Sequence, residues 1–172
     1  MKTNSMVILF LTLMINQVDA GYPDGTVVFS YKNGLVGRIA KRITGGDQYT
    51  HVGVVINNKV YESDWPRTKA TPVNQYGKRR TTNDYYVPLT PYSGQEVQNM
   101  RAYADSQIGT PYRLRNYFHP NTKKTNGTWC SPFVGRILNR SGRFNLSEQN
   151  YHEPQNIKNN LHGYGFSRRV VK

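Results

Sequence analysis

The sequence predicts an α/β fold of the α+β type, an antiparallel sheet packed against helices. Three observations predict it. Thr50 to Asp64 reads as two β-branched strands around Asn57-Asn58, a tight hairpin. Ser93-Gly94-Gln95-Glu96 has capping-box spacing and opens an apolar stripe at Val97, Met100, Ala104 and Ile108. The stretch from Asn126 to Asn139 reads as a turn followed by an amphipathic helix, and it carries the only cysteine, Cys130.

The chain has 172 residues, which suits one compact domain with a hydrophobic core. Residues 1–20 stand apart, with Lys2, the apolar run Met6 to Ile15, and Val18-Asp19-Ala20 before Gly21. That run is too short to span a membrane, and its small terminal residues suit a signal peptidase. A cleaved secretory signal is therefore expected, followed by a single domain over 21–172, with no transmembrane anchor. An uncleaved interfacial helix would need a basic face, which the stretch lacks. Export normally brings paired cysteines. A lone one permits no internal disulfide, so its thiol is either reactive or intermolecular. A monomer is expected.

The formal net charge is +13, unchanged by loss of the leader because Lys2 and Asp19 cancel. Such a surface favours anionic partners. The basic residues are dispersed (Lys41-Arg42, Lys78-Arg79-Arg80, Lys123-Lys124, Arg168-Arg169) and match no nucleic-acid-binding motif, so no specific nucleic-acid partner is expected.

In chain order, Asp24-Gly25 leads into a strand over Thr26 to Tyr31. Leu35, Val36, Ile39 and Ile43 fall at helical spacing with Arg38, Lys41 and Arg42 opposite, until Gly45-Gly46 stops the run. The hairpin follows. From Trp65 to about Asp84 the chain is polar and basic with little periodicity, which predicts a loop. Tyr85 to Leu89 reads as a strand, and Pro88 within it predicts an edge position. The capping-box helix runs to Gly109. Gly109-Thr110-Pro111-Tyr112 begins an irregular, basic stretch that reaches the Cys130 helix, which ends between Asn139 and Gly142. The tail is Asn-rich from Asn145 to Asn160, punctuated by Pro154, and Gly165 to Val171 closes the sheet as a last strand.

The hairpin also carries a geometric expectation. With Asn57 and Asn58 as the two loop residues, Ile56 pairs with Lys59, Gly53 lies opposite Glu62 and His51 opposite Asp64. Side chains alternate with period two, so His51, Gly53, Glu62 and Asp64 share one face. Glu62 is then diagonal to His51, and Gly53 leaves the space between them open. A three-residue loop would put His51 and Glu62 on opposite faces.

Cys130 is the candidate nucleophile, since unpaired amides and the helix dipole at a helix start favour a thiolate. A thiol nucleophile needs a base within reach and a group to orient that base. Of the four histidines, His51 alone has a carboxylate expected on its own face. His119, His152 and His162 lie in polar, irregular stretches. The Cys130 amide is one expected oxyanion donor. Tyr49, Tyr112 and Trp129 are candidates for the second donor or for substrate contact. No His-x-x-x-His or Cys-x-x-Cys spacing occurs, so neither a metal nor a cofactor is expected. The sequons at Asn126, Asn139 and Asn145 are read as chance matches, because a glycan at Asn126 would obstruct Cys130.

The order of these parts resembles a known family. Asp24-Gly25-Thr26-Val27-Val28-Phe29, Tyr49-Thr50-His51-Val52-Gly53-Val54-Val55, Val60-Tyr61-Glu62-Ser63, Gly109-Thr110-Pro111-Tyr112 and Trp129-Cys130-Ser131 follow one another as in the circularly permuted papain-like members of the NlpC superfamily, the YiiX-like and YaeF-like group. In that permuted form the His strand precedes the Cys helix. The resemblance spans roughly Tyr22 to Asn139. It implies an antiparallel sheet or partial barrel packed against the Cys-bearing helix, with Cys130 as nucleophile, His51 as base and Glu62 as orienting residue. It also implies a cysteine peptidase or amidase acting on an anionic envelope substrate. A peptidoglycan peptide is the first expectation, a lipid amidase or acyltransferase the alternative. A catalytically idle, cationic envelope-binding protein is the reading from a different class. Relatives often have Cys-Ser-Glu at the nucleophile where this chain has Cys130-Ser131-Pro132, which removes any substrate contact made through that glutamate.

Overall fold

The computed structural model describes residues 21–31, 49–76, 82–113 and 126–169. The expected leader (1–20), the helical spacing over 34–44, His119 and the last residues of the closing strand lie outside the described residues. Among the described residues one six-stranded sheet has the order β4-β3-β2-β1-β5-β6. The strands are β1 (Val27–Tyr31), β2 (His51–Ile56), β3 (Lys59–Asp64), β4 (Arg67–Pro72), β5 (Thr82–Pro88) and β6 (Phe166–Arg169). Every neighbouring pair is antiparallel. The helices are α1 (Val73–Tyr76), α2 (Gly94–Ser106), α3 (Cys130–Arg140) and α4 (Pro154–Leu161). The expected antiparallel sheet against a cysteine-bearing helix is therefore present.

Alternation along the strands divides the core in two. Val27, Phe29, Val52, Val54 and Tyr61 meet Met100 and Ala104 of α2, Phe133, Val134, Ile137 and Leu138 of α3, and Ile157 and Leu161 of α4. Val28, Val55 and Val60 form a smaller cluster with Tyr76 and Tyr85. Helix α3 is central, with Cys130 through Gly135 buried as well as Ile137 and Leu138. A β-carbon at Gly135 would stand 2.4 Å from that of Tyr151, so the missing side chain lets the 3₁₀ turn Gln149–Tyr151 pack against α3. Pro132 sits in the first turn of α3, where its absent N–H has no intrahelical partner to lose, and the helix continues to Arg140.

Three sequence expectations are corrected. The segment after Trp65 is not a loop throughout, since β4 pairs with all of β3, from Lys59 with Pro72 to Asp64 with Arg67, and α1 follows. Among the described residues it is a sheet edge with no second strand to cover it, so it can be polar. Strand β5 is not an edge. It lies between β1 and β6, and Pro88, its last residue and the partner of Phe166, costs the ladder no internal bond. The Asn-rich tail holds α4, with Pro154 in the first helical turn rather than as a breaker.

Candidate active site

The hairpin fixes the first two side chains. Asn57 and Asn58 have φ of 48° and 57°, the positive values of a type I′ turn. The register is the two-residue one: Ile56 with Lys59, Val55 with Val60, Val54 with Tyr61. His51 and Glu62 meet on one face, Nε2 to Oε2 at 2.7 Å, with only 3 % and 2 % of each residue exposed. Gly53 makes the room. A β-carbon there would come within 2.7 Å of Val60 Cγ1 and 3.7 Å of Glu62 Cβ.

Helix α3 delivers the sulfur. It packs on β2 and β3. Ser63 Oγ donates to the Thr128 carbonyl at 3.4 Å, tying the end of β3 to the chain just before the helix. Cys130, the first residue of α3 and 4 % exposed, lies within hydrogen-bond reach of the His51 ring and of the Val52 amide, with Ser131 Oγ at 3.6 Å. Burial pushes the thiol up, yet the hydrogen bond and charge of His51, helped by Ser131 and the Val52 amide, bring it below the ordinary cysteine value. With Glu62 ionised, the carboxylate only accepts, and Nε2 of His51 would then carry the hydrogen toward it. The neutral ring then keeps its lone pair on Nδ1.

Glu62 has a second partner that sequence reading missed. Lys69 lies directly across the β3–β4 ladder, its Nζ 3.6 Å from Glu62 Oε1 and 3.5 Å from Asp64 Oδ2. The available signal was the alternation in Arg67-Thr68-Lys69-Ala70-Thr71, masked by the absence of large apolar residues.

The three other candidates part ways. Tyr112 is held by its amide bonding to the Pro66 carbonyl at 2.9 Å and by a bridge to Thr128, two residues before the cysteine. Burial, with the charges of Cys130 and Asp64 near enough to act on it, raises its hydroxyl far above the ordinary tyrosine value. Tyr49 is buried and donates its hydroxyl to Asp84, which also accepts from Arg168 Nη2 at 2.7 Å. Trp129, the residue before α3, donates its indole N–H to the His152 carbonyl at 3.0 Å and makes no side-chain cap to the helix. The His152 ring lies edge-on to Trp129 at 5.4 Å, and His162 is exposed.

Among the described residues no group of three or more His, Cys, Asp or Glu side chains is placed to hold a metal ion. No helix among them is long and apolar enough to cross a membrane.

No family model matches the chain, and no curated protein matches it. Its fold is similar to the crystal structure of the metalloprotein YiiX from Escherichia coli O157:H7, with a TM-score of 0.69 over 88 % of this chain and 98 % of that one, at 13 % identity. That likeness shows that the two chains share a fold, and in this chain the histidine of the hairpin precedes the cysteine at the start of α3.

Proposed function

We propose that this protein is an exported thiol hydrolase that cleaves an amide bond in peptidoglycan peptides or a related envelope substrate. The observation that carries the proposal is the buried contact series from Cys130 through His51 to Glu62 at the start of α3. His51 takes the thiol proton, and the Cys130 thiolate attacks the carbonyl carbon. The first amides of α3 donate hydrogen bonds to the oxyanion. The C–N bond breaks as His51 returns the proton to the leaving amine. Water then gives a proton to His51 and its oxygen to the acyl carbon, and the C–S bond breaks to release the acid and restore the thiol. Glu62 holds the ring in the required tautomer throughout.

The basic surface supports an anionic envelope as the place of action. One observation favours the lipid-directed reading. Trp65, 71 % exposed, and Ile108, 46 % exposed, lie on the two segments that frame Tyr112 and are joined by Gly109 N–H to Thr68 O and Tyr112 N–H to Pro66 O.

The test compares the mature wild-type chain with Cys130→Ala on purified peptidoglycan and, separately, on acylated lipid vesicles, read by mass spectrometry. New peptide termini from the wild type alone support the amidase. Released fatty acid with intact wall peptides transfers the reading to lipid. Identical products from both chains on both substrates remove the hydrolase.

A further inference from the structure

We infer that Lys69 is a positioning residue of this site, holding Glu62 as the ionised carboxylate that orients His51. The inference rests on the thiol-hydrolase reading above. Its geometry is specific. A carboxylate has two oxygens, and Glu62 gives Oε2 to His51 at 2.7 Å and faces Lys69 Nζ with Oε1 at 3.6 Å. The side chain of Glu62 is only 3 % exposed, so water does little to support its charge, and an unsupported buried carboxylate tends to take up a proton. Protonated, it could no longer be relied on to accept from Nε2, and the ring would lose its fixed tautomer.

Lys69 is well suited to prevent this without entering the reaction. It comes from the edge strand β4, opposite Glu62 in register, and its side chain is 34 % exposed, so its own charge stays solvated. Among the described residues the acidic groups shown beside it are Glu62 and Asp64 on β3; beyond Glu62 come His51 on β2 and then Cys130 on α3, and Tyr112, from the turn after α2, feels Asp64 and Cys130. Arg67 on its own strand lies opposite Asp64. Asp64, 3.5 Å from the same ammonium, shares Lys69, so the lysine offsets both carboxylates of β3. A cross-strand ion pair with no catalytic consequence is the rival reading, and it predicts an effect on stability alone.

The two separate through the rate of Cys130 alkylation by iodoacetamide as a function of pH, measured on wild type, Lys69→Gln, Lys69→Met and Lys69→Arg. The reagent reports the thiolate and needs no substrate. Removing the positive charge makes both the Glu62 carboxylate and the Cys130 thiolate harder to form, so the acid limb moves to higher pH by about 0.5–1 unit in Lys69→Gln. Lys69→Arg leaves the limb in place. Lys69→Met keeps the aliphatic stem against the sheet and serves should the glutamine variant fail to fold. A limb that stays at the wild-type pH, including one merely lowered in rate, overturns the inference while leaving the thiol reading intact. A wild-type limb at the ordinary cysteine position removes both.

Discussion

At the residue scale the site depends on one absent side chain. Gly53 lies between two buried partners, and a methyl group there meets Val60 Cγ1 at 2.7 Å and the Tyr61 carbonyl at 3.3 Å. Val60 is fully buried, so it cannot swing away. Gly53→Ala is therefore expected to destabilise the fold by about 1–3 kcal/mol, the usual cost of overpacking, and to push β3 away from β2 where Glu62 must meet His51. Thermal denaturation checks the first effect. The second appears as slower alkylation of Cys130 at mildly acidic pH, and a variant with wild-type melting and wild-type thiol reactivity would show that the gap is not needed. His51 and Glu62 were legible in the sequence because a two-residue Asn-Asn loop sets the register, and the register sets the face. Lys69 was not, because it is read only once β4 exists. The partners of Tyr49 and Trp129 were equally hidden: Asp84 and the His152 carbonyl come from distant chain positions that no local pattern joins.

At the element scale, helix α2 is anchored by a reciprocal cap. The Glu96 amide donates to Ser93 Oγ at 3.3 Å, and the Ser93 amide donates to Glu96 Oε2 at 2.7 Å. Arg143, beyond the end of α3, forks onto the same carboxylate with Nε to Oε1 at 2.6 Å and Nη2 to Oε2 at 2.7 Å, and it lies over the Tyr92 ring at 4.2 Å. The start of α2 and the end of the cysteine helix are thereby fastened together. The Arg143 hydrogen bonds, with the Ser93 amide, hold the Glu96 carboxyl down to about 2. The folded value lies below the ordinary one, so this stabilisation is fully present above about pH 4.5 and is lost as pH falls toward 2. Glu96→Gln should cost about 1 kcal/mol at neutral pH, a figure kept small because both side chains are partly solvated. The gap between variant and wild type should close near pH 2. Melting temperatures of the two chains across that range check it, and a gap that does not change with pH would assign the loss to packing. This helix was legible because a cap is a local signal of four residues. Helix α4 was not: it has only Ile157 and Leu161 as buried large apolar anchors after Pro154 in a run of Asn and Gln, too few to show a period.

At the scale of the whole molecule, the proposed site and the charge occupy different places. The Cys130, His51 and Glu62 side chains are buried, whereas the exposed basic residues include Arg101, Arg140, Arg168 and Arg169 on α2, α3 and β6. Some of that charge is locally balanced, as Arg168 is by Asp84 and Arg101 by Asp105. With 23 Lys and Arg against 10 Asp and Glu, most of it is not. Long-range attraction and the proposed thiol chemistry should therefore respond to different variables. Raising ionic strength from about 50 mM to about 500 mM shortens the screening length severalfold, so retention of the mature chain on insoluble anionic wall material should fall by roughly tenfold or more. Cys130 alkylation should barely change, because a buried pair is screened much less than an exposed one. Sedimentation of the chain with purified wall sacculi, assayed beside iodoacetamide labelling in the same buffers, checks both. Retention that is indifferent to salt would place recognition in specific contacts at the rim, with Trp65 and Ile108 the first to substitute. A thiol whose reactivity falls in step with retention would mean that surface charge, rather than His51 and its neighbours, sets the state of the sulfur.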